Sequence, residues 1–135
     1  MTIAFDPVLL TGIEEIDAEH RELFAQVERL VDASRARRGK EEVLALLDFL
    51  GSYVTDHFAH EEARMLGYPG AAAHELEHRR FAREVNALRA EARAKGPSPL
   101  LVIQVGNRVA TWLREHIYRT DRALGEWLRG RGTAG

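Results

Sequence analysis

At 135 residues, 45% hydrophobic and 30% charged, the chain has the balance of a folded, water-soluble protein rather than a disordered one. Its 19 Lys and Arg against 21 Asp and Glu leave a net charge of −2, so no bulk attraction to nucleic acid or to an anionic membrane is expected. Cysteine is absent, which excludes disulfides, thiolate zinc sites and cysteine-ligated iron–sulfur clusters. Between Met1 and Gly12 no Lys or Arg precedes an apolar run, and no stretch approaches the ~18 apolar residues of a membrane span. The expectation is a cytoplasmic monomer with neither nucleic acid nor membrane among its partners.

An arm over residues 1–12 leads to Thr11-x-x-Glu14, which reads as a capping box opening a helix over roughly 13–36. The apolar stripe of that helix runs Ile13, Ile16, His20, Leu23, Val27, Leu30. Arg35, Arg37, Arg38 and Lys40 cluster at its end, where cations meet the negative pole of the helix dipole. After a break in the region around Gly39, a second helix over 41–66 carries Val43, Leu47, Leu50, Val54, His57, Glu61. Gly67-Tyr68-Pro69-Gly70 interrupts it, and a third helix over 71–94 carries Ala71, His74, His78, Phe81, Val85, Leu88. The segment Lys95-Gly96-Pro97-Ser98-Pro99 breaks the pattern again, with Ser98 and Pro99 as N-cap and first residue of a fourth helix over 99–129. Its stripe runs Val102, Val105, Val109, Trp112, His116, and the residues from Arg129 onward read as a frayed terminus. Stripe steps of three and four residues, with short connections, predict an all-α, up-down-up-down antiparallel four-helix bundle formed as one domain over 1–135.

The histidines occupy the apolar stripes instead of interrupting them. A buried ionisable side chain costs several kcal/mol unless something satisfies it. Depth gives an independent check. His20 and the pair His74, His78 follow the starts of their helices; His57, Glu61, His116 and Asp121 precede the ends of theirs. In an up-down-up-down bundle those ends coincide, and at about 1.5 Å per residue the seven side chains share one layer roughly 10 Å from that end.

His57-x-x-x-Glu61 and His74-x-x-x-His78 are i,i+4 pairs, each presenting two donors on one helix face. Five imidazoles and two carboxylates are too many for one zinc ion, which takes about four ligands. They would fill most positions of two six-coordinate ions that share both carboxylates, leaving room for a solvent bridge and an open position. Imidazole with carboxylate oxygen suits iron or another mid-row transition metal. His60, three positions after His57 and off the stripe, reads as an exposed residue and not a ligand. One spacing does not fit an ideal helix. His116 and Asp121 are five residues apart, about 140° around an α-helix. The stripe also slips by one residue there, resuming as Ile117, Asp121, Leu124, Leu128, which a local π turn would explain.

Together these motifs resemble the hemerythrin family, in particular its single-domain bacterial members. The likeness runs from Gly12-Ile13-x-x-Ile16-Asp17-x-x-His20, through His57-Phe58-x-x-Glu61-Glu62-x-x-Met65 and His74-x-x-x-His78-x-x-Phe81, to His116-Ile117-x-x-x-Asp121. The resemblance implies a non-haem di-iron centre, cycling between Fe2+ and Fe3+, with a bridging oxo or hydroxo. It implies that His74, His78 and His116 hold one iron and that His20 and His57 hold the other. That second iron would keep the open position where dioxygen binds, with Glu61 and Asp121 bridging the pair. Leu23, Phe58, Trp112, Leu113 and Ile117 would line the dioxygen pocket and keep it dry. Family members usually carry a Trp in the arm; here Phe5 is the stand-in.

The expected function is reversible dioxygen binding, for carriage, storage or local supply, with no catalytic residue assigned and no enzymatic role. Ferritin-like oxygen-activating sites use four carboxylates and two Glu-x-x-His pairs. The present layer, richer in imidazole, should favour the ferrous state. The alternatives are a di-iron enzyme acting on peroxide, nitric oxide or ferrous iron, and an oxygen-sensing module.

Overall fold

The computed structural model describes residues 5–134, less the side chains of Arg35 and of 131–134; the first four residues of the expected arm lie outside it. Four long helical segments and no strand occur among the described residues. A short 3-10 turn at Pro7–Leu9 precedes α1 (Glu14–Arg35), α2 (Gly39–Glu62), α3 (Ala71–Lys95) and α4 (Pro99–His116). A π-helical turn, Ile117–Asp121, then carries α4 without a break into α5 (Arg122–Ala134). Among the described residues, no helix is long and apolar enough to cross a membrane.

The antiparallel arrangement is fixed by which ends meet. His20, early in α1, lies 3.5 Å from Glu61, near the end of α2, and Glu61 lies 3.5 Å from His74 at the start of α3. α1 packs on α2 and α4, and α2 on α3, around a core that includes Phe24, Val27, Val43, Leu50, Val85 and Val105. Trading water for this interior is the main stabilising term, at about 25 cal/mol per Å² of apolar surface.

Several local expectations change. The Thr11–Glu14 capping box does not form: α1 opens at an Ile13 N-cap with no side-chain cap bond. Buried Asp17 takes Thr11 instead, accepting from its backbone N and its Oγ1 (both 2.8 Å) and from the Gly12 N–H at 3.2 Å. A carboxylate that satisfies three donors of the arm outcompetes a single cap bond. The arm also needs Gly125, since a Cβ there would lie 2.3 Å from the Thr11 carbonyl oxygen. Phe5 packs edge-on to Phe24 with ring centroids 5.6 Å apart.

The first reversal falls within the break expected around Gly39 and turns on Arg37, whose φ of 62° is left-handed. Gly39 begins α2, where a Cβ would lie 2.7 Å from Val102 Cγ1, so its missing side chain admits α4. α2 closes at Glu62 instead of 66, because the next amides bond back over three residues (Arg64 to Glu61, Met65 to Glu62) before Gly67 turns left-handed at φ 82°. Ser98 caps α4 as expected, accepting from the Leu101 N–H at 3.1 Å. α5 continues to Ala134 rather than fraying from Arg129. Glycine lowers helix propensity by about 1 kcal/mol without forbidding a helix, and Gly130 does not stop this one.

Candidate metal centre

The seven side chains of the predicted layer converge. His20, His57, Glu61, His74, His78, His116 and Asp121 are each 4% exposed or less. Their donor atoms fall into two overlapping groups whose members lie within 4.8 Å of one another. One group is Glu61, His74, His78, His116 and Asp121; the other is His20, His57, Glu61 and Asp121.

The two shared acids divide their oxygens between the groups. Asp121 Oδ1 lies 2.9 Å from His74 Nε2 and 3.1 Å from His116 Nε2, while its Oδ2 lies 3.0 Å from His20 Nε2. Glu61 Oε1 lies 3.1 Å from His78 Nε2 and 3.5 Å from His74 Nε2. Its Oε2 lies 3.5 Å from His20 Nε2 and 3.6 Å from His57 Nε2. Each carboxylate thus turns one oxygen to the three-histidine side and one to the two-histidine side.

The π turn is what brings Asp121 into this set. Five residues of α-helix would leave Asp121 on a different face from His116. An i→i+5 turn returns the chain to the same face after five residues, and the Arg122 N–H bonds to the Ile117 carbonyl across it.

Close as they are, these groups do not meet one another in hydrogen-bond geometry. The Nε2 atoms of His20, His74, His78 and His116 and all four oxygens of Glu61 and Asp121 are buried without a hydrogen-bond partner. Each such orphan costs about 1–3 kcal/mol. Cations bound between the inward nitrogens and the paired oxygens would give every one of them a partner, so the donor set fits a metal centre.

In the metal-free chain the acids and imidazoles of the layer shift one another's charge. Burial and the neighbouring Asp121 push the Glu61 acid up, but His20, His74 and His78 outweigh them and hold it well below its ordinary value. Burial likewise opposes the Asp121 charge, and His116, His20 and His74 hold that acid low. Burial disfavours the charged form of His20 and of His116, yet Asp121 and Glu61, joined by Glu77 at His116, raise them to about 9 and about 10. His57 differs: burial dominates and pushes its pKa down.

Three acids that the stripe pattern did not single out back the histidines from outside. Glu19 on α1 lies 3.2 Å from His57 Nδ1 on α2. Glu62 on α2 lies 2.8 Å from His78 Nδ1 on α3. Glu77 on α3 lies 2.8 Å from His116 Nδ1 on α4. A carboxylate only accepts, so each of these imidazoles donates from Nδ1 and turns its Nε2 lone pair inward. The available signal was adjacency: Glu19 precedes His20, Glu62 follows Glu61, and Glu77 precedes His78. Each acid serves a histidine on the next helix.

A narrow apolar cleft adjoins the two-histidine side. Leu23, Phe58, Trp112, Leu113 and Ile117 line it together with His20, His57, His116 and Asp121, and it is too tight for a water molecule. Trp112 stacks on His116 with centroids 4.3 Å apart, and Phe58 stacks on His78 at 3.7 Å.

Fold and donor set together define a cation-binding four-helix bundle. The chain belongs to the hemerythrin family: residues 11–128 match the hemerythrin HHE cation binding domain. It is 31% identical over 125 residues to a bacteriohemerythrin of Pseudomonas aeruginosa (strain LESB58), covering 90% of this chain and 78% of that one. It is 32% identical over 121 residues to a bacteriohemerythrin of Methylococcus capsulatus (strain Bath), covering 87% and 89%. A solved crystal structure of a leucine-to-phenylalanine mutant superposes with a TM-score of 0.72 at 29% identity, covering 87% of this chain and 89% of that chain.

Proposed function

We propose that the chain binds dioxygen reversibly at a carboxylate-bridged, non-haem di-iron centre, for carriage, storage or local supply. His74, His78 and His116 would hold one iron and His20 and His57 the other. Glu61 and Asp121 would bridge them alongside a solvent-derived oxo or hydroxo group. The observation that carries this reading is the asymmetry of the donors: five surround one position and four the other, sharing both acids, and the apolar cleft adjoins the poorer side. A two-ion centre with one position short of ligands would leave room for a small diatomic as a ligand, on the side that the apolar residues cover. When bound, the iron pair supplies two electrons that dioxygen can take and return.

The chain's own residues do the rest. Glu19, Glu62 and Glu77 fix three imidazoles in the tautomer that can bind metal. Leu23, Phe58, Trp112, Leu113 and Ile117 exclude water and anions that would compete at the open position. Besides the proposed ligands, the cleft lining holds no acid or base that could deliver a proton to dioxygen and help break the O–O bond. That favours binding over turnover.

The test is anaerobic: count metal per chain, reduce, add dioxygen, then purge, following the visible spectrum. Two irons per chain and a dioxygen-dependent band that vanishes on purging are expected. Irreversible bleaching to a diferric spectrum, with peroxide consumed on each re-reduction, would replace this reading with that of a di-iron enzyme.

A further inference from the structure

His60 has no place among the seven donors, and its side chain is 63% exposed. It is nonetheless engaged. Its Nδ1 lies 2.8 Å from Oε2 of Glu19, whose other oxygen, Oε1, lies 3.2 Å from Nδ1 of His57. One carboxylate on α1 thus spans two histidines one turn apart on α2. Tyr53, four residues before His57 on the same face, donates its hydroxyl to the Glu19 backbone carbonyl at 2.8 Å. Its ring runs nearly parallel to that of His57, with centroids 6.1 Å apart and an interplanar angle of 18°. Three α2 side chains, at i, i+4 and i+7, therefore hold a single α1 residue by its backbone and by both carboxylate oxygens.

The position of Glu19 makes that hold consequential. It hydrogen-bonds His57, is the chain neighbour of His20, and so serves the four-donor side alone, since His78 and His116 on the other side have their own acids. Glu62 and Glu77 back the five-donor side separately. Glu19 is also partly open to water, with its side chain 23% exposed. A carboxylate in that setting, held through one oxygen only, can swing out and hydrate. The His60 bond on the second oxygen closes that escape.

Resting on the di-iron reading above, we propose that His60 is a positioning residue for the four-donor side of the centre. It acts through Glu19 to keep the His57 imidazole oriented, and so sets how firmly that one ion is retained. His60 itself touches no metal. It is a surface latch on the position where dioxygen would bind, and it leaves the five-donor position untouched.

The experiment is iron release from the ferrous protein. Wild type, His60→Ala and His60→Gln are loaded anaerobically with ferrous iron and challenged with a colour-forming ferrous chelator. Wild type should hold two irons per chain. His60→Ala should release one of the two about 10-fold faster, the low end of what loss of an outer hydrogen bond does to metal retention, and leave the other unchanged. His60→Gln, whose side-chain amide can donate to Glu19, should restore most of the wild-type rate. Because His60 is exposed, the folded bundle should persist, with unchanged helical circular dichroism. Equal release rates in wild type and His60→Ala would overturn the proposal alone, as would acceleration of both irons together. A wild-type chain that retains fewer than two irons would overturn the di-iron reading, and this inference with it.

Discussion

The Glu77 carboxylate sits 2.8 Å from Nδ1 of His116, reaching from α3 to α4, and the Thr120 hydroxyl donates to the same carboxylate at 3.0 and 3.1 Å. His116 lies just before the π turn and Thr120 within it, so one acid pins both the imidazole and the irregular backbone that delivers Asp121. Replacing Glu77 by Ala should therefore lower metal affinity by about 10- to 100-fold. Competition with a chelator of known strength measures it. An unchanged affinity would mean that Trp112 stacking alone orients His116.

His57 and His20 are the two donors that belong only to the poorer of the two groups, so neither has a substitute there. His57→Ala should reduce bound iron toward one per chain and abolish reversible dioxygen binding. Metal analysis and a dioxygen-and-purge cycle report the two effects separately. Retained reversible binding would remove His57 from the ligand set.

Leu113 is 2% exposed and lines the cleft. Truncation to Ala should cost about 2–5 kcal/mol of stability, as for other buried leucines. It should also shorten the lifetime of the dioxygen-bound form by giving water a path to the open position. The decay of the visible band after dioxygen is added is the measurement. A lower denaturation midpoint with an unchanged decay rate would assign Leu113 to packing alone.

The metal-free chain should show an alkaline weakness. Burial disfavours charge on His20 and His116, but Asp121 and Glu61, with Glu77 as well at His116, raise them from 6.5 to about 9 and about 10. A raised pKa stabilises the fold fully below 6.5, and that contribution is lost as pH climbs through 9 to 10. The thermal midpoint of chelator-treated protein should thus fall between about pH 8 and pH 10. Protein loaded with zinc needs these imidazoles neutral and should show no such fall. Metal uptake should release protons, and affinity should rise with pH across the same window.

Much of this arrangement was legible in the sequence, for physical reasons that can be named. Histidines at His20, His57, His74, His78 and His116 keep the phase of apolar stripes, and helix rise then puts them at one depth. The one-residue slip after His116 is the trace of the π turn, visible because a regular helix cannot bring Asp121 back to the same face. What stayed hidden was set by neighbours in space. Glu19, Glu62 and Glu77 look like ordinary flank acids on their own helices, and their partners lie on the next helix. Thr11 and Glu14 satisfy a local capping rule, but Asp17 offers the arm more bonds than the rule can. His60 falls off the stripe, and no periodicity connects it to Glu19 on α1.

Because both donor groups share Glu61 and Asp121, neither is complete until the segment after α4 has been made. Six of the seven donors precede Asp121 in the chain, and a ribosome exposes them one helix at a time. A nascent chain carrying only α1 to α3 offers a few histidines and one acid in open water, where they would compete poorly for a metal ion. On the di-iron reading, metal insertion would be deferred to the finished bundle, and half-made chains would be spared from trapping a redox-active ion in an unshielded form.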